Sequence, residues 1–165
     1  MNTNSLMTSV PPEMTTMRYQ LLFVFQIEVK PPSIIGGTPG HDRRVGEITG
    51  GRFEGERLRG RILSGGSDWQ SLRNDGTITL NVRQVLETDD GALIGMTYLG
   101  MRHGPKEVME RITRGESVSP SEYYLRATPY YETASEKYGW LNRIVSVAYG
   151  HRNSAGAIYQ VFEVL

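Results

Sequence analysis

Cysteine is absent from this chain of 165 residues, which excludes disulfides, thiolate metal sites and thiol nucleophiles. Charge of one sign is lacking too, because 18 basic and 18 acidic side chains cancel. No basic stripe offers an electrostatic footprint for nucleic acid, and no charge run fits a membrane surface. Long apolar runs are missing, so no segment approaches the roughly 20 residues of a membrane span. Histidine is scarce: His41, His103 and His151 stand alone without ligand spacing, and neither a metal nor any other cofactor is expected. The first 16 residues are rich in Ser, Thr and Met, with Pro11 and Pro12. They have neither the basic start nor the apolar centre of a secretory signal. Residues 1–16 read as a disordered tail, residues 17–165 as a single domain, and the cytoplasm as the location.

What the chain does have is glycine, 19 of them, punctuating runs that alternate apolar and polar. From Arg18 to Lys30, Tyr19, Leu21, Phe23, Phe25, Ile27 and Val29 share one face, the period of a half-buried strand. Pro31-Pro32 stops it, and a Gly/Pro-rich loop runs to about Asp42. Short strands follow near 43–49 and 56–63. The stretch 65–76, Gly-Gly-Ser-Asp-Trp-Gln-Ser-Leu-Arg-Asn-Asp-Gly, reads as a loop that feeds the next strand. Thr77–Thr88 and Ala92–Arg102, joined by Asp89-Asp90-Gly91, make the clearest hairpin. Met96, Tyr98, Gly100 and Arg102 share one face of its return strand. Pro105–Arg114 is the one helical pattern, stopped by Gly115. Strands near 122–128, 143–149 and 157–164 complete the chain, with a tight connection across Tyr130–Asn142. The pattern predicts an all-β fold: an antiparallel up-and-down β-barrel of about eight to ten strands with one short helix. A barrel is preferred to a sandwich because long alternating strands must hide their edges.

The chemistry is narrowed by elimination. Gly36-Gly37-Thr38-Pro39-Gly40 is followed by no helix, so the phosphate-loop context fails, and no Gly-x-Ser-x-Gly elbow supports a serine hydrolase. What remains is a set of arginines, acids and aromatics without a nucleophile. Arg73, Arg102, Arg126, Asp68, Glu132 and Tyr138 are the candidate catalytic groups, with Trp69, Tyr98, Trp140 and Asn142 as binding groups. Asp75 is explained as well by its Asp-Gly turn. A buried arginine needs a partner, and Asp68 and Glu132 are the natural ones for Arg126. Such a set can bind a phenolate, enolate or carboxylate and move protons. It would equally serve as an Arg–acid lattice closing one end of the barrel.

Three motifs resemble one family. They are Gly65-Gly66-Ser67-Asp68-Trp69-Gln70 with Arg73 and Asp75-Gly76, then Arg126-Ala127-Thr128-Pro129-Tyr130-Tyr131-Glu132-Thr133, then Tyr138-Gly139-Trp140-Leu141-Asn142. Together with Thr88-Asp89-Asp90-Gly91-Ala92 they are similar to the domain-of-unknown-function 3237 family of small β-barrel proteins, from about Arg18 to the C-terminus. Ser67 replaces the family's alanine, and the run Asn81-Val82-Arg83-Gln84 keeps its arginine, which adds Arg83 to the binding set. The resemblance implies a calycin-like barrel related in shape to allene oxide cyclase. It also implies a cofactor-independent isomerase or cyclase of chalcone-isomerase type, acting on a small aromatic or enone metabolite. A non-catalytic lipocalin-like carrier of a small hydrophobic or phenolic molecule is the alternative, and either could work as a homodimer.

Overall fold

In the computed structural model, which describes residues 5–153 and 155–165, the alternating runs become ten strands. They are β1 (Tyr19–Val29), β2 (Ser33–Thr38), β3 (His41–Glu54), β4 (Arg59–Ile62), β5 (Gly66–Leu72), β6 (Ile78–Thr88), β7 (Leu93–His103), β8 (Tyr124–Glu132), β9 (Val145–Asn153) and β10 (Gly156–Val164). A single α-helix, α1 (Lys106–Thr113), joins β7 to β8. Every pairing is antiparallel, from β6 to β10 each strand pairs with the next in sequence, and β1 pairs with both β10 and β3, which closes the ring. The predicted up-and-down barrel is therefore the observed fold. Two of its positions are shared: β4 and β5 lie end to end between β3 and β6, and β2 continues the line of β1 along β3. Eight staves result from ten strands.

Side-chain alternation fills the interior. Phe23, Phe25 and Ile27 of β1, Ile48 and Phe53 of β3, Val82 and Leu86 of β6, and Ile94, Met96 and Tyr98 of β7 are all buried. The turns are glycine-driven where the backbone must be left-handed, at Gly76 (φ +81°) and Gly91 (φ +85°). Gly115 (φ +79°) ends α1 as expected.

Three local expectations change. Residues 66–72 are a strand, not a loop, because they find edges of both β3 and β6 to pair with. The Gly/Pro-rich segment after Pro32 likewise pairs, as β2. In β1 a bulge between Leu21 and Phe23 inserts one residue. That flips the parity, so Tyr19 and Leu21 are exposed at 60% and 52% while Phe23, Phe25 and Ile27 point inward.

The two ends of the barrel differ. One is plugged: Leu58 and Leu141 are buried there, and the Arg57 guanidinium lies 3.5 Å over the Trp140 ring while pairing with Glu163 at 2.6 Å. At the other end β1, β5, β7 and β9 finish, β3, β6, β8 and β10 begin, and α1 leaves and returns. Of the tail expected over residues 1–16, residues 1–4 lie outside the described residues. Residues 5–16 form two short 3₁₀ turns with every side chain exposed. Among the described residues no helix is long and apolar enough to cross a membrane.

Candidate functional site

The inward positions at the α1 end are polar, against the rule for a barrel interior. On β5 the period of two sends Asp68 and Gln70 inward and Trp69 outward. Asp68 sits beside Val82 of β6, and Val82 in turn beside Tyr98 of β7. Two pairs further along β7 comes Arg102, opposite Ile78. Closure of the ring then brings Arg44 from β3, Arg152 from β9 and Tyr159 from β10 to the same end. The Tyr159 ring stacks on Phe25 at 4.8 Å, and the Tyr98 and Tyr159 rings are 5.6 Å apart.

Few of these polar atoms have partners. Gln70 Nε2 donates to Asp68 Oδ2 at 2.6 Å. Among the described residues, Asp68 Oδ1, the Tyr98 hydroxyl, Arg102 Nε and Arg44 Nε are enclosed without a hydrogen-bond partner. The phenols of Tyr98 and Tyr159 are neighbours but make no well-formed hydrogen bond with each other. Among the described residues, no ion pair joins Asp68 to any of its three arginines. Leaving a buried polar group unpaired costs about 1–3 kcal/mol each. A cluster of them is the expense characteristic of groups kept ready for a ligand. Asp68, Gln70, Arg102, Arg152 and Tyr159 line a cavity of about 30 Å³ together with Ile27, Val29, Leu80, Leu125 and Ala157.

Electrostatics follow from burial. Desolvation raises Asp68 above the ordinary carboxylate value, and the Gln70 bond and the charges of Arg102, Arg152 and Arg44 only partly oppose it. Desolvation first, then the neighbouring Arg152, brings Arg102 down to about 10. Burial also pushes both Tyr98 and Tyr159 up, so each remains a hydrogen-bond donor at neutral pH. One buried acid, Asp68, faces the guanidinium groups of Arg102, Arg152 and Arg44.

Three of the sequence candidates, Asp68, Tyr98 and Arg102, meet here. The others lie elsewhere. Arg73 pairs with Asp75 at 2.7 Å on the exposed β5–β6 turn. Trp69 and Arg83 face outward, as does Glu132 at the end of β8. Arg126 is also on the outer wall. Its guanidinium stacks 3.9 Å over Tyr149 and donates to the Leu125 carbonyl, so neither Asp68 nor Glu132 is its partner. Tyr138, Trp140 and Asn142 belong to the plugged end. The Tyr138 hydroxyl donates to Asp90 at 3.2 Å, and Asn142 ties down the backbone of Thr133. The structure adds Gln70, Arg44, Arg152 and Tyr159. Gln70 was readable as the next inward residue after Asp68, and Tyr159 as the inward partner of Ala157 and Val161. Arg44 and Arg152 had no local signal. Among the described residues no three His, Asp or Glu side chains converge as a metal would require.

Residues 17–164 match the model of a family described as "Protein of unknown function (DUF3237)". A UPF0311 protein of Clostridium acetobutylicum is 34% identical over 149 residues, 90% of this chain and 94% of that one. A UPF0311 protein of Rhodopseudomonas palustris is 36% identical over 123 residues, 74% and 80% of the two chains. Among solved structures, a conserved protein of unknown function from R. palustris superposes with TM-score 0.86 at 32% identity, covering 92% of this chain and 99% of that one. A β-barrel-like protein from Acinetobacter baumannii gives 0.80 at 37% identity, covering 94% and 99%. An enzyme from Penicillium herquei shares the fold, with TM-score 0.71 at 20% identity over 94% of this chain and all of that one.

Proposed function

The chain belongs to the DUF3237 family, and from that premise we propose that it is a cytoplasmic, cofactor-independent isomerase or cyclase. Its substrate is a small aromatic or enone-bearing metabolite whose oxygen enters the Asp68 end of the barrel. The observation that carries the reading is a pair of enclosed atoms without partners among the described residues, Asp68 Oδ1 and Arg102 Nε, on side chains that line one small cavity, with the Tyr98 ring 5.6 Å from the Tyr159 ring that also lines it. That the fold also serves an enzyme in Penicillium herquei supports it.

The Asp68 carboxylate takes the proton from the substrate's hydroxyl, and the freed oxygen forms the ring C–O bond at the far carbon of the enone double bond. The π pair of that double bond shifts to give an enolate, whose oxyanion Arg102 and the Tyr98 hydroxyl hold; in a simple isomerisation the enolate forms instead by loss of a proton from the carbon beside the carbonyl. Asp68, whose pKa burial has raised, then returns the proton to carbon, so atoms balance without an oxidant or a cofactor. Asp68→Asn keeps the shape and removes this step.

A cavity of about 30 Å³ is the space of one water molecule. It fits an oxygen, not a ring. The body of the substrate therefore lies at the mouth, where Val29 is 37% exposed and Arg44 and Arg152 are half-buried. A carrier would want an open apolar lumen, whereas this one is packed by Phe23, Phe25, Phe53 and Tyr131.

The test is ring closure of a panel of hydroxy-enones, read as enantiomeric excess against buffer, Asp68→Asn and Arg102→Gln. One enantiomer formed above background and lost in both variants supports the reading. A racemate at the buffer rate across the panel removes it.

A further inference from the structure

The outer wall of β5 to β9 does not resemble the rest of the surface. Register places Trp69, Asn81, Leu99 and Thr128 in one row and Ser71, Thr79, Met101, Arg126 and Tyr149 in the next. Trp69, Leu99, Met101, Tyr124 and Tyr149 are 43% to 55% exposed, and with Met17 they line an open groove of about 880 Å³. Among the described residues no carboxylate lines it and every ion pair lies elsewhere. Its two charges, Arg43 and Arg126, stack on Trp69 and on Tyr124 and Tyr149. Aromatics, Met and Arg without acids are the composition of an interface centre. Two arginines already seated on rings, in a chain of zero formal charge, do not make the basic stripe that nucleic acid needs.

A matching surface lies on the same chain. The arm before β1 exposes Leu6 at 85%, Met7 at 84%, Val10 at 41% and Met14 at 73%. Its only charge between residues 5 and 17 is Glu13, opposite in sign to the groove's two arginines. Met17, the root of the arm, lines the groove. Extended backbone at Val10 and Pro11 separates its two short turns. Burying four such side chains in a partner's groove, with the surrounding rims, covers on the order of 800 Å² per copy, the size of a standard interface.

We propose that the groove on β5–β9 receives the N-terminal arm of a second copy, giving a two-fold dimer in which each arm crosses to the other barrel. Symmetry then makes both contacts identical, and Glu13 meets Arg43 or Arg126 of the partner barrel.

The test is molar mass by light scattering and sedimentation for the full chain, a variant lacking residues 1–16, and Met101→Glu. The full chain should be dimeric, and both variants monomeric with dissociation constants raised at least about a hundredfold. Met101 is half-exposed, so its variant should retain the wild-type circular dichroism and melting curve. Residence in trans is checked by Leu6→Cys with Leu99→Cys in one chain, which has no other cysteine. Oxidation should give a covalent dimer. A monomeric full chain overturns the proposal, and so does an intramolecular disulfide, which places the arm on its own groove. A dimer that survives truncation overturns it as well, because the faces then pair without the arm.

Discussion

Tyr98→Phe should make this protein more stable and less active at once. The ring is fully enclosed, at 0% exposure, so the substitution removes one oxygen and leaves the packing against Phe25 and Tyr159 as it was. Among the described residues the hydroxyl makes no well-formed hydrogen bond, with only the Tyr159 phenol beside it, so the folded wild type carries a desolvation cost of about 1–3 kcal/mol that phenylalanine lacks. A gain of about 1–2 kcal/mol follows, and at about 2–4 °C per kcal/mol for a domain of this size the melting temperature rises by about 2–8 °C. If the same hydroxyl holds the oxyanion, ring closure slows by about 10²–10³-fold. Thermal unfolding followed by circular dichroism at neutral pH reads the first effect, and the initial rate on a turned-over hydroxy-enone reads the second. A melting temperature lowered by more than about 2 °C would show that the hydroxyl is satisfied in the folded protein. The unpartnered atoms would then no longer speak for a ligand.

Other outcomes follow from the same geometry. Because burial raises Asp68 from 3.8, the folded state keeps a proton that the unfolded chain releases. Its favourable contribution is present below the unfolded value and is lost as pH rises through the folded one. Urea unfolding at steps from about pH 4 to 8 should show this decline in the wild type and its absence in Asp68→Asn. Arg57→Ala removes the guanidinium 3.5 Å above Trp140 and leaves Glu163 with only Gln20. The half-exposed position limits the loss to about 1–2 kcal/mol, visible as a lower urea midpoint with unchanged slope. Gly51→Ala should cost about 3 kcal/mol or more, since a Cβ there would run into the Gln26 carbonyl across the β1–β3 seam at φ +148°. Near-normal melting would mean that the seam is looser than its register implies.

The parts of this fold that a single strand can announce were legible in the sequence. The β6–β7 hairpin, the stop at Gly115 and the shared face of Tyr98 and Arg102 all follow from local period and turn chemistry. Asp68 was singled out for its place beside Gly-Gly and Trp, although its segment was read as a loop. The strand there exists only because β3 and β6 offer it two edges, which is tertiary information. Arg126 shows the opposite failure. Its alternation with Tyr124 and Thr128 was correct, but period two says which residues share a face and not which face is inside. Arg44 and Arg152 reach the site through ring closure, a contact across the whole chain that no window of sequence contains.

That closure has a consequence for how the protein is made. Leu21 of the first stave pairs with Phe162 of the last, so one edge of β1 stays open until nearly the entire chain has left the ribosome. At about 5–20 residues per second this is a wait of roughly 10–30 s. Throughout it a long strand carrying Phe23, Phe25 and Ile27 presents bare amide and carbonyl groups to its surroundings, a template for any other nascent copy. The bulge after Leu21, which twists that strand and breaks its apolar period, then also guards against wrong pairing while the C-terminal stave is still being synthesised.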